Sequence, residues 1–102
     1  MLRRACAVDG NQPEVADAFR RLGWDVIDTH ACAQYVPGWP DLVAIWYRGW
    51  LHTPLVVGIE VKMPGEGLTE KEALFAALHP EWAPIVVRTE DDVLRLTEEA
   101  GR

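Results

Sequence analysis

A chain of 102 residues with 16 acidic and 10 basic side chains, a formal net charge of −6 and a pI near 4.9 offers no general electrostatic attraction for a polyanion. Its 49% hydrophobic and 25% charged residues are ordinary for a water-soluble domain with one modest core. No apolar stretch approaches the ~20 residues of a membrane span, the start Met1-Leu2-Arg3-Arg4-Ala5-Cys6-Ala7 lacks a signal-peptide core, and Cys6 and Cys32 are expected as reduced thiols of a cytoplasmic protein.

In chain order, Asn11-Gln12-Pro13-Glu14 reads as a helix start, with Asn11 as N-cap, Pro13 in the first turn and Glu14 as the acid of a capping box. Val15, Ala18, Phe19 and Leu22 follow at helical spacing as the buried stripe, and Gly23 ends the helix. Trp24 to Asp28 is expected as a first strand and His30 to Gly38 as a loop. Asp41 then opens the apolar run Leu42 to Trp46, a second strand, and Arg48-Gly49-Trp50 is a turn. Leu55 to Lys62 is rich in β-branched residues and stops at Pro64-Gly65, which reads as a third strand. Thr69-Glu70-Lys71-Glu72 repeats the capping-box pattern ahead of Leu74, Phe75 and Leu78. Ile85-Val86-Val87 is a short fourth strand, and Thr89 to Asp92 caps a last helix through Leu96. The predicted order is α-β-β-β-α-β-α, an α/β fold in one domain spanning residues 1–102.

Within that order, Pro40-Asp41 is followed after eighteen residues by Glu60-Val61-Lys62. Side chains alternate along a strand, so Ile59 and Val61 are expected in the core while Glu60 and Lys62 share the opposite face. If the second and third strands pair with their charged ends adjacent, Asp41, Glu60 and Lys62 converge. Two carboxylates and a lysine suit Mg²⁺-assisted phosphodiester hydrolysis: Mg²⁺ takes one or two carboxylates together with substrate phosphate and water. Asp41 and Glu60 would supply those carboxylates, with the Val61 backbone carbonyl as a further oxygen. Lys62 would steady the attacking water or the pentacovalent oxyanion. Taken singly, each of these residues has a plain structural explanation, such as an ion pair on a sheet surface; it is their joint spacing at a strand end that points to chemistry.

These residues resemble the PD-(D/E)XK nuclease superfamily, and look closest to small phage and bacterial proteins of the virus-type replication-repair nuclease and Holliday-junction-resolvase-like groups. The resemblance covers nearly the whole chain. It runs through Asn11-Gln12-Pro13-Glu14, Gly38-Trp39-Pro40-Asp41-Leu42, Ile59-Glu60-Val61-Lys62, Leu68-Thr69 and Ile85-Val86-Val87-Arg88-Thr89. It implies a restriction-endonuclease-like αβββαβ core, a mixed four-stranded sheet flanked by helices, with a C-terminal helix. It also implies metal-binding roles for Asp41 and Glu60, a catalytic role for Lys62 and an auxiliary acidic role for Glu14. Two departures stand out: Glu72 where relatives often carry glutamine at a site-facing position, and Trp39 where they often carry a small residue. An extra carboxylate at Glu72 would alter metal stoichiometry, and Trp39 would narrow access.

The competing local readings are specific. Glu14 and Glu72 each sit where a capping box alone explains a carboxylate, worth about 0.3–1 kcal/mol against the helix dipole. His30-Ala31-Cys32 supplies two soft ligands where zinc wants four. Arg3, Arg4, Arg20, Arg21, Arg48 and Lys71 are phosphate-contact candidates or solvated charges, and Trp39 is a candidate for base stacking, the other tryptophans being core or interface material. The reading is an Mg²⁺- or Mn²⁺-dependent DNA endonuclease that works as a homodimer, without organic cofactor or membrane. The alternative is a catalytically weak or silent nuclease-fold subunit that binds DNA or a partner assembly.

Overall fold

The β-branched runs pair into one sheet in the computed structural model, which describes residues 10–49 and 52–101. Helix α1 spans Gln12–Arg21, followed by strands β1 (Asp25–Asp28), β2 (Leu42–Trp46) and β3 (Leu55–Val61). Helix α2 (Glu70–Leu78), strand β4 (Ile85–Val87) and helix α3 (Glu90–Ala100) complete the order expected from the sequence. The sheet runs β1-β2-β3-β4, antiparallel through β1, β2 and β3 and parallel between β3 and β4. A parallel pair needs a crossover connection, and α2 is that connection. Inside the expected loop, His30–Gln34 forms a short 3₁₀ turn. The last helix continues past Leu96 to Ala100.

Register decides what each face carries. Ala44 and Leu42 of β2 lie opposite Val57 and Ile59 of β3. With Val61 and Val87 they form the inner face, packed on Val15, Ala18 and Phe19 of α1 and Val93 of α3. Trp24 closes this core: its ring meets Phe19 edge-on and Trp46 at a tilt, and its Nε1–H donates to Thr97 Oγ1 at 2.8 Å, tying the strand entrance to α3. The other face carries the rows Asp25–Ile45–Val56 and Ile27–Val43–Gly58, and its next row places Asp41 beside Glu60. Pro40 lies over Gly58, so closely that a Cβ there would stand 2.9 Å from Pro40 Cγ. Trp39, Phe75 and Trp82 form one aromatic cluster beside it.

The capping boxes of α2 and α3 form as their sequences predict. Thr69 Oγ1 accepts from the Glu72 N–H while Glu72 accepts from the Thr69 N–H, and Thr89 and Asp92 repeat the exchange. The box expected at Asn11 and Glu14 does not form. Asn11 makes no side-chain cap; its Nδ2 donates to Lys62 O at 3.1 Å and Arg88 O at 2.9 Å. Both carbonyls sit just past the parallel β3–β4 pair, where the ladder ends, and the amide supplies the donor they need. Cys32 is an exposed free thiol, whereas Cys6, Arg3, Arg4 and Trp50 lie outside the described residues.

Candidate active site

The β2–β3 register brings Asp41, Glu60 and Lys62 together, with Glu72 reaching in from α2. Asp41 Oδ2 accepts from the Val61 N–H at 2.8 Å, which fixes its carboxylate against the end of β3. What the structure shows of Val61 here is that N–H. Glu60 projects from the face expected to be open, yet it is 0% exposed. Neither of its oxygens receives a hydrogen bond. Ionised, it would be a buried charge facing a second carboxylate with no donor on either oxygen, an arrangement that costs several kcal/mol.

Protonation resolves this. Burial, followed by contact with Asp41 and the negative charges of Asp41 and Glu72, pushes the Glu60 carboxyl up to about 10. Burial is also the main reason that Asp41 is raised above the usual carboxylate range, against the lowering effect of Glu60 and the Val61 N–H. The contact between the two becomes a hydrogen bond only when Glu60 carries the proton and donates it to Asp41. At neutral pH the Glu60 carboxyl therefore keeps its proton.

Lys62 is 8% exposed, and its Nζ lies 2.7 Å from Glu72 Oε1. Burial works against the ammonium, but the hydrogen bond and charge of Glu72 outweigh it and raise the lysine pKa. Burial likewise opposes the Glu72 carboxylate, and its bonds from Lys62 and the Thr69 N–H hold it below the usual range. Lys62 and Glu72 are thus a charged pair, Asp41 and Glu60 share a proton beside them, and Glu60 also lies within hydrogen-bonding reach of Glu72. Among the described residues no three His, Cys, Asp or Glu side chains form a ready-made cation cage. The oxygens on offer are those of Glu60 and the remaining oxygen of Asp41. Two carboxylates and no soft ligand match what Mg²⁺ or Mn²⁺ asks of a protein, since both keep several waters.

No family model, curated protein or solved structure matches this chain.

Other candidates fall elsewhere. Glu14 is exposed on α1. Arg21 pairs with Asp17 through Nε and with Glu90 through one terminal nitrogen, and its side chain is exposed. Arg20 is exposed on α1, and Lys71 is exposed on α2, one residue before Glu72. The Trp39 ring, partly buried, packs edge-on against Phe75 and at a tilt against Trp82.

Two features of the fold were not anticipated from the sequence. Gln12 is 3% exposed with its Oε1 buried and unbonded. The signal was present, because Gln12 stands three and seven residues before Val15 and Phe19, on the buried stripe rather than the polar side. Gly58 is the second: its missing side chain makes room for Pro40, and so for the chain that delivers Asp41.

Proposed function

We propose that this protein is a divalent-metal-dependent DNA endonuclease of the PD-(D/E)XK kind. The observation that carries the reading is the buried Glu60 carboxyl, with no donor on either oxygen, set beside Asp41 and next to a lysine. A structural role would call for one carboxylate and one cation; here a second carboxylate is buried at a cost that a bound cation would offset.

Asp41 and Glu60 would hold Mg²⁺ or Mn²⁺, and the Val61 N–H keeps Asp41 oriented for it. When bound, the cation supplies Lewis-acid charge at the scissile phosphate and lowers the pKa of a water. Lys62 presents an ammonium on the same face and stabilises negative charge developing on the phosphoryl oxygens, a role that fits a protonated lysine better than proton abstraction. Lys71, exposed on α2 one residue before Glu72, would offer a contact to a flanking phosphate. With a net charge of −6, binding would depend on the cation and on few basic side chains, which favours DNA ends or branched shapes over long duplex. A homodimer would set two such sites against a symmetric substrate, covering exposed apolar side chains such as Ile27, Val56, Leu74 and Leu78.

The same acidity, together with the engagement of Arg21, supports the second reading, a nuclease-fold subunit that binds without cutting. Incubating the purified protein with labelled linear, branched and single-stranded DNA in Mg²⁺, Mn²⁺ or EDTA separates the two. Cleavage that requires the metal supports the enzyme; shifted but intact DNA in every metal supports the subunit.

A further inference from the structure

Glu72 does two jobs with one oxygen. Its Oε1 accepts from the Thr69 N–H at 2.8 Å, closing the capping box of α2, and from Lys62 Nζ at 2.7 Å across to the end of β3. The carboxylate is therefore fixed by the first turn of α2, and it in turn fixes a lysine whose four-carbon stem would otherwise be mobile. The same helix also governs the other half of the site. Gly38, at φ +86°, lies so close to α2 that a Cβ would stand 2.3 Å from Lys71 O and 2.7 Å from Phe75 Cβ. Its neighbour Trp39 packs on Phe75. The first two turns of α2 thus hold both the segment leading into Asp41 and the head of Lys62.

We propose that Glu72 is a positioning residue that holds the Lys62 ammonium beside the Asp41–Glu60 pair, so that α2 sets the alignment of the site. The inference rests on the nuclease reading for its effect on turnover but not for the ion pair itself. Held by Glu72, the ammonium stays aligned for the substrate. Glu72 itself need touch neither metal nor DNA.

Two substitutions separate this role from helix capping. Glu72→Asp keeps the cap, as Asp92 does in α3, but withdraws the charge from Lys62 by one methylene. Glu72→Gln keeps the reach and the acceptor oxygen but drops the charge. Both are expected to fold, to bind Mn²⁺ within about twofold of wild type with KM for DNA little changed, and to lose about 10–100-fold in kcat. In a Lys62→Ala background the same substitutions should cost almost nothing more, because Glu72 acts through the lysine. Turnover that is unchanged or raised in Glu72→Gln, or an equal loss with and without Lys62, would overturn the proposal. A readout independent of cleavage is the NMR signal of the Lys62 ammonium in metal-free protein. Its hydrogens should exchange slowly enough to be seen in wild type, and the signal should vanish in Glu72→Asp. If wild type cuts no DNA, the nuclease reading fails on its own, and the ammonium signal alone decides whether Glu72 holds Lys62. Its absence from wild type would refute that.

Discussion

Replacing Glu60 by glutamine should make the metal-free protein more stable at alkaline pH, and the size of the effect follows from the proton held by the Asp41–Glu60 pair. Unfolded, the Glu60 carboxyl titrates at its ordinary 4.5; folded, it is pushed up to about 10. Between those values the native state binds one more proton than the unfolded state, so stability falls as pH rises, by about 1.4 kcal/mol per pH unit. From pH 6 to pH 8 the wild type should lose about 3 kcal/mol, a large share of the roughly 5–15 kcal/mol of a small domain. Glu72, lowered, loses its contribution only as pH falls toward the acid range, and Lys62, raised, only above its ordinary 10.5. The interval from pH 6 to 8 therefore isolates the carboxyl pair. The glutamine amide carries no titrating proton. Urea unfolding followed by tryptophan fluorescence in EDTA at pH 6, 7 and 8 should give a falling line for wild type and a flatter one for Glu60→Gln. Parallel lines would refute the shared proton. Added Mg²⁺ at pH 8 should restore the wild type and leave the variant unmoved, since a ligand that binds only the native state stabilises it.

Asp41→Asn should abolish metal-dependent cleavage with little loss of secondary structure by circular dichroism, because the amide oxygen can still accept from the Val61 N–H; cleavage at the wild-type rate would place the site elsewhere. Lys62→Ala should keep cation binding but lower turnover about 10²–10³-fold, and should cost about 1–3 kcal/mol in urea titrations by leaving Glu72 without its partner. Gly58→Ala should destabilise by about 1–3 kcal/mol through overpacking against Pro40 and weaken Mn²⁺ affinity by displacing Asp41. Gly67→Ala, where a Cβ meets nothing within 4 Å, should stay within about 0.5 kcal/mol in the same assay. Light scattering at micromolar concentration should report about twice the 11.5 kDa chain mass, and a monomer both alone and on DNA would remove the homodimer.

Much of the fold could be read from local chemistry. The β2, β3 and β4 strands match their β-branched runs to within about a residue, and Thr-x-x-acid marks the start of both α2 and α3, because these signals act over a few bonds. Asn11 stands at the N-cap of α1 as its sequence suggests, but its amide is used by carbonyls 51 and 77 residues away rather than by its own helix. The phase of α1, set by Gln12, Val15 and Phe19, turns Glu14 to the exposed side of the helix. For the site, alternation along β3 placed Glu60 and Lys62 on one face but gave no sign that this face is closed. That closure comes from Pro40, Trp39 and α2, contacts that only the folded chain makes. Trp39 shows the same limit, since its bulk beside Asp41 is taken up by Phe75 and Trp82.

The most direct test of the account is calorimetric titration of Mn²⁺ into metal-free protein at pH 8, repeated in two buffers of different ionisation enthalpy. The cation should bind with release of about one proton, because it replaces the one shared by Asp41 and Glu60, and Glu60→Gln should bind it far more weakly and release none. Absence of binding to the wild type, or binding to Glu60→Gln with the same affinity, would contradict the claim that this buried carboxyl pair is a cation site.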